Sequence, residues 1–265
     1  MKCVLYHANC YDGFGAAWAA WKALGKTASY TPVTYGAPPP DLRGYEHVYI
    51  VDFSYPLQDL LDMVNKGSPV TVMDHHKTAQ EALDGALGVH SHLHTIFDMT
   101  KSGALLTWEY FHPGVQAPKL IQHISDRDLW EFKLDGTKAV HKALVSLPMD
   151  LEVWDTLDVE VLKKDGVILE RLHDQLVKNI CEKAWTTDID GHKVPTVNTS
   201  IACSEVGDYL AKENPYAPFV ASFTVMKNSV MWSLRSRGDF DVSAVAKKFG
   251  GGGHKNAAGF KTARF

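Results

Sequence analysis

With 265 residues the chain is too long for one small core and suits two domains of ordinary size. Hydrophobic residues make up 45% and charged residues 22%, a balance that excludes a disordered chain. Lys plus Arg is 27 against 31 Asp plus Glu, and the net charge of −4 argues against a basic surface for long duplex DNA, where affinity comes from neutralising many phosphates. A short nucleotide held by a few local cations stays compatible with that balance.

The four cysteines, Cys3, Cys10, Cys181 and Cys203, have no CxxC spacing and read as reduced thiols. The opening apolar stretch is too short for a signal-peptide core, and no segment approaches the ~20 apolar residues of a membrane-spanning helix. A cytoplasmic protein that does not enter membranes is expected.

In chain order, residues 2–6 (KCVLY) form an apolar strand that ends at His7. A turn leads into GAAWAAWKAL, whose composition favours helix. VYIV (48–51) is a β-branched strand that stops at Asp52, and Pro56 then opens a helical LQDLLDMV. PVTVM (69–73) is a further buried strand, stopping at Asp74. Strands alternating with helices imply an α/β domain with a parallel sheet covered on both faces, assigned to residues 1–150. Ser102 is positioned to cap a helix in KSGALLTWEYF. Residues 150–185 show apolar i, i+3, i+4 spacing and predict one long element, with 151–187 as a connecting helix. The remainder, 188–265, reads as a smaller α+β domain: a hairpin turning at Asp190–Gly191, two strands joined at Lys227–Asn228, and a last helix that stops in the run Gly250–Gly253.

His7, Asp52 and Asp74–His76 each follow the last apolar residue of a strand. In an open parallel sheet those ends share one edge, where ligands bind. Imidazole and carboxylate donors without thiolate suit hard or borderline divalent ions, and oxygen-rich coordination points to Mn²⁺ or Mg²⁺. Carboxylates gathered in one crevice repel one another unless cations are present, which argues for more than one metal. Asp126, in ISDRDLW, is available to close the site from the helical part. Asp128 competes with it, but a capping or ion-pairing role suits Asp128 better. Cys10 has no base at a diagnostic spacing and is not assigned as a nucleophile.

The triplet Asp74–His75–His76, the H-x-N-x-x-D-G run His7–Gly13, the strand-end Asp52, Asp126 and the C-terminal GGGHKNAAGF occur in one order along the chain. Together they resemble the DHH phosphoesterase superfamily with its DHH-associated C-terminal domain. That group includes nanoRNases, RecJ-type exonucleases, phosphatases on adenosine bisphosphate and cyclic-dinucleotide phosphodiesterases. The resemblance implies that His7, Asp12, Asp52, His75 and Asp126 hold two Mn²⁺ ions, with Asp52 between them. Mg²⁺ or another divalent metal is the alternative. His76 is implied as general acid or phosphate partner, and Asp74 as the group that orients a histidine. Asn9 stands where the family usually has an Asp, and as a neutral amide it is a weaker ligand or holds a metal-bound water.

In the C-terminal segment, consecutive glycines Gly251, Gly252 and Gly253 would let backbone N–H groups approach an anion, with His254 as an added donor. Arg235 offers a planar fork for a phosphate, and Ser236 follows it. In the relatives this domain holds the far end of the substrate, so short substrates are favoured. The expected activity is hydrolysis of a short single-stranded oligonucleotide or dinucleotide to nucleoside monophosphates. A phosphatase on adenosine bisphosphate, or an exopolyphosphatase, is the enzymatic alternative, and a non-catalytic nucleotide-binding module is the other. A homodimer is compatible with the sequence.

Overall fold

A computed structural model describes residues 1–84 and 90–264. The chain divides into two compact units, residues 1–170 and 171–265.

The first unit begins β1 (Lys2–His7), α1 (Tyr11–Leu24), β2 (Ala28–Val33), β3 (His47–Val51), α2 (Leu57–Asn65), β4 (Val70–Asp74), α3 (Lys77–Leu83) and β5 (Leu93–Phe97). The five strands are all parallel, in the order β2-β1-β3-β4-β5. Successive side chains on a strand point to opposite faces, so a strand covered on both sides must be apolar at nearly every position. β1 and β3 follow this rule. Val4, Tyr49 and Val51 enter a core shared with Phe14, Trp18 and Trp108, while Leu5, Val48 and Ile50 enter a second core with Leu60 and Met63. Ile50 is fully buried, and cutting it back to Ala would cost about 2–5 kcal/mol.

Helices α4 (Gly103–Phe111), α5 (Lys119–Asp128), α6 (Thr137–Val145) and α7 (Leu151–Asp155) complete this unit, and the boundary falls within α8 (Val159–Cys181). Ser102 caps α4 as expected, accepting from Leu105 N–H at 3.3 Å. The connecting helix expected over 151–187 is instead two helices. Asp158 ends the apolar periodicity by accepting from the N–H groups of Glu160 (2.7 Å) and Val161 (3.3 Å), which starts α8 afresh. Strands β2 and β5 were not legible. Both lie at sheet edges, and β2 carries Pro32, a residue tolerated at an edge but not in a central ladder.

The second unit holds β6 (Trp185–Ile189), β7 (His192–Asn198), α9 (Cys203–Glu213), β8 (Val220–Val225), β9 (Ser229–Arg235), α10 (Val242–Lys248), β10 (Gly252–His254) and β11 (Ala257–Ala263). Its six-stranded sheet has the order β10-β11-β9-β8-β7-β6, mixed because β7 and β8 run parallel. Asp190 and Gly191 join β6 to β7 with φ of 54° and 79°, the left-handed pair of a tight hairpin. The fold is the expected two-part α/β arrangement with a smaller α+β second unit.

Candidate active site

Because every strand of the first sheet is parallel, the carboxyl ends of β1, β3 and β4 meet at one edge. They place His7, Asp52 and Asp74–His76 there. Asp52 still donates its N–H to Met73 O at 2.9 Å, then turns with φ of 61°. A non-glycine residue in the left-handed region is costly, of order 1–3 kcal/mol, and such strain gathers at functional sites.

His75 is the centre of the constellation. Its Nε2 lies 3.1 Å from Asp52 Oδ1, 3.5 Å from Asp12 Oδ2 and 3.6 Å from Asp128 Oδ2. Asp12 reaches this point from the first turn of α1. Its carboxylate accepts from the N–H groups of Gly103 (2.6 Å) and Ala104 (3.0 Å), so the start of α4 fixes its orientation. On the other side of Asp52, His7 Nδ1 stands 3.4 Å from Asp52 Oδ2 without hydrogen-bond geometry.

Asp74 is fully buried and works outward from the end of β4. Its Oδ1 accepts from the backbone N–H groups of His75 (2.7 Å) and His76 (3.2 Å), and meets His76 Nδ1 at 2.7 Å. One carboxylate thus locks both histidines of the triplet. Tyr35, half exposed, stacks edge-on to His7 and His76 with ring centroids 4.9 and 6.0 Å away. Nothing in the sequence around Tyr35 marks it.

The electrostatics call for added positive charge. Burial raises Asp12 well above the usual carboxylate range, and the neighbouring Asp52 and Asp128 carboxylates raise it further. Burial also raises Asp128; His75 opposes that shift and Asp52 reinforces it. Burial alone would raise Asp52, but the facing His7 and His75 rings outweigh it and hold Asp52 well below its ordinary value. Burial disfavours the His75 imidazolium, yet Asp52, Asp128 and Asp12 together keep it protonated above its ordinary range.

The donor set fits divalent metals. Ligand atoms of Asp12, His75 and Asp128 lie within 4.8 Å of one another, as do those of His7, Cys10 and Asp52, and of Asp52, Asp74, His75 and His76. Asp52 and His75 each belong to two of these groups. Asp52 Oδ2 is buried and makes no hydrogen bond, with the His7 ring 3.4 Å away as its facing group.

Two expectations require correction. Asp126 is not in the cluster. Its Oδ1 accepts from Lys133 N–H (2.8 Å), and its Oδ2 from Leu134 N–H (3.1 Å) and the Thr137 hydroxyl (2.5 Å), so it organises the loop after α5. Asp128, at the end of α5, supplies the carboxylate instead. In a helix, residues two apart point in different directions, and the spacing alone favoured neither. Asn9 is also absent from the site. It is exposed with φ of 57°, and the resulting turn brings Cys10 to His7 and Asp52. Burial, and then the three carboxylates, push the Cys10 thiol well above its usual range.

A small pocket opens beside these residues, lined by Tyr11, Asp12, His123, Arg127, Asp128 and His141 among others.

In the second unit the glycine run leads into a paired strand. Gly252, Gly253 and His254 form β10, paired with Gly259, Ala258 and Ala257 of β11. A β-carbon on Gly251 would stand 2.0 Å from Gly259 O, so the glycines permit close strand approach. Arg235, at the end of β9, donates to Ser204 Oγ (3.0 Å), Ser233 Oγ (3.0 Å) and Leu234 O (2.9 Å). Ser236 donates to Phe240 O at 2.7 Å and accepts from Asn256 at 2.9 Å, a role in its own loop.

Comparison with known proteins matches residues 192–264 to the DHHA1 domain. Uncharacterized protein R106 of Acanthamoeba polyphaga mimivirus is 32% identical over 97% of this chain and 66% of its own length. Oligoribonuclease NrnB of Bacillus subtilis (strain 168) is 25% identical over 96% of this chain and 71% of its own. The chain therefore spans about two thirds of the length of these curated relatives. Among solved structures, RecJ from Thermus thermophilus in complex with Mn²⁺ is similar with a TM-score of 0.55 and 15% identity, over 98% of this chain and 49% of that one. With the Asp74–His75–His76 triplet at the end of β4 and a DHHA1 domain in its second unit, the chain belongs to the DHH phosphoesterase superfamily.

Proposed function

We propose that the protein hydrolyses a phosphodiester bond in short single-stranded oligonucleotides or dinucleotides, releasing nucleoside monophosphates, with two divalent metal ions in the cluster around Asp52 and His75. The observation that carries this reading is the placement of Asp12, Asp52 and Asp128 about His75 Nε2, all within 3.6 Å. Carboxylates gathered this closely repel one another when ionised and cations among them relieve that repulsion, and Mn²⁺ or Mg²⁺ would match the oxygen-rich half.

Phosphate ester hydrolysis is among the slowest uncatalysed reactions, and one acid–base side chain contributes only about 10²–10⁴-fold. Divalent ions held by these residues would supply the rest, by lowering the pKa of water and neutralising the phosphoryl oxygens. The chain's own residues set the geometry. Asp52, in the left-handed region and common to two of the ligand groups, would be the residue shared between the metal positions. His7 and Cys10 stand on one side of it, and Asp12, His75 and Asp128 on the other. Asp74 accepts the Nδ1 proton of His76, which leaves Nε2 to exchange a proton with the leaving oxygen. Arg235 and His254 are proposed to contact substrate phosphate. The name of NrnB supports a short oligonucleotide, and the Mn²⁺ bound to RecJ supports the metal class.

The test is incubation of the Mn²⁺-loaded protein with a labelled diribonucleotide, longer single strands, adenosine bisphosphate and polyphosphate. Fastest release of monophosphate from the shortest strands is expected. Turnover confined to polyphosphate or to the bisphosphate would replace this assignment, and turnover of none would end it.

A further inference from the structure

The sequence places a thiol where a metal pair of this kind would be expected to have only oxygen and nitrogen donors. Cys10 forms no disulfide, and it sits at the N-cap of α1 without capping it. Cys3 and Cys181 are packed in apolar cores, so the position of Cys10 is not shared by them. The αL turn at Asn9 swings residue 10 toward the end of β1, where its sulfur, a ring nitrogen of His7 and a carboxylate oxygen of Asp52 all lie within 4.8 Å of one another. Asp52 is only 1% exposed, and its Oδ2, the oxygen nearest His7, has no hydrogen bond. A buried carboxylate oxygen and a ring nitrogen that face each other at 3.4 Å without a hydrogen bond, with a thiol beside them, have the character of a ligand set rather than of packing.

From this geometry we infer that Cys10 is a metal ligand, and that the His7–Cys10–Asp52 position selects a thiophilic divalent cation of the zinc, cobalt(II) or iron(II) class. The Asp12–His75–Asp128 position, with two carboxylates, takes Mn²⁺ or Mg²⁺. The inference rests on the proposed metal cluster and deepens it, because the two ions are then chemically unlike. Softness of the ligand decides the selection: thiolate favours zinc-like ions, while carboxylate favours Mg²⁺ and Mn²⁺. One sulfur, one nitrogen and one oxygen donor also leave a tetrahedral ion an open position, the pattern of zinc sites that act on substrates.

Cobalt(II) reports the sulfur bond directly. Titrating Co²⁺ into the metal-stripped full chain under reducing, oxygen-free conditions is expected to raise a near-ultraviolet thiolate-to-cobalt charge-transfer band that saturates at one ion per chain. In Cys10→Ser the band is lost while a second, oxygen-ligated cobalt still binds. In Cys10→Asp two ions bind without the band, and the preference of the first position for Zn²⁺ over Mn²⁺ falls by more than about 100-fold, the upper end of what losing an outer-shell partner costs. A measurement on the unaltered chain guards against misfolded variants: one equivalent of Zn²⁺ is expected to shield Cys10 from alkylation, mapped by peptide mass, and Mg²⁺ is not.

Absence of the band in the unaltered chain, its survival in Cys10→Ser, or alkylation of Cys10 unaffected by Zn²⁺ would overturn the inference. Two bound ions and active hydrolysis without a sulfur band would remove the cysteine role alone. The band without hydrolysis would instead remove the proposed reaction.

Discussion

A β-carbon on Gly103 would stand 2.6 Å from Asp52 Cβ and 2.7 Å from Asp52 Oδ1. The first residue of α4 thus touches the central carboxylate of the site, and the same residue donates its N–H to Asp12 at 2.6 Å. Only glycine satisfies both contacts, because both neighbours are held by buried backbone and neither is a flexible tip.

Gly103→Ala is therefore expected to displace Asp52 and loosen Asp12 together. Metal affinity and hydrolysis should both fall by about 10–100-fold, the scale of losing a supporting contact at a metal site. Calorimetric metal titration of the folded variant checks this, and unchanged affinity would show that the close approach is not needed.

Asp128 and Asp126 separate by variant. Asp128→Asn is expected to weaken one ion selectively while leaving the fold intact. Asp126→Asn is expected to keep both ions and lose stability by about 1–3 kcal/mol, since it anchors Lys133, Leu134 and Thr137. Metal content by elemental analysis and denaturant unfolding distinguish the two. The reversed pattern would restore Asp126 to the site.

Much of the site was legible in the sequence because parallel strands force their ends together: His7, Asp52 and Asp74–His76 could be read from where apolar runs stop. Asp12 followed from the motif beside His7. What was not legible depended on direction rather than order. The choice between Asp126 and Asp128 turns on the rotation of α5, and the choice between Asn9 and Cys10 on a single left-handed residue. Edge strands β2 and β5 lack the continuous apolar runs that mark doubly covered ones, and the break between α7 and α8 hangs on the Asp158 cap. The glycine run was read for its backbone freedom, but its cause is the 2.0 Å approach of Gly259 O to the place of a Gly251 β-carbon.

The pH dependence of the metal-free protein follows from the site's charges. The folded-state pKa of His75 is raised, so its contribution is fully present below the ordinary value of 6.5 and is lost as pH rises through the folded value. Asp12 and Asp128 are raised too, and once ionised they repel, which acts in the same direction. Asp52 is lowered, and its contribution is lost only as pH falls below the ordinary carboxylate range. Thermal unfolding without metal should therefore show stability declining from about pH 6 upward, and Mn²⁺ should flatten the decline. A metal-free stability that rises with pH over that window would contradict these charges.

His76→Gln is expected to lower kcat by about 10²–10⁴-fold with metal stoichiometry unchanged, the range for loss of one acid–base group. Asp74→Asn should act through both histidines and weaken metal binding as well, because Asp74 Oδ1 holds the backbone of His75. If His76→Gln leaves kcat intact, the proton passes by another route.

The most direct measurement is the number of divalent ions bound by the metal-stripped chain, counted by native mass spectrometry across a Mn²⁺ titration with and without Asp52→Ala. Two ions per chain, with occupancy of both positions reduced in the variant, are the expected result. A chain that binds no ion, or one whose ions are indifferent to Asp52, would contradict the shared-carboxylate cluster on which the proposed hydrolysis depends.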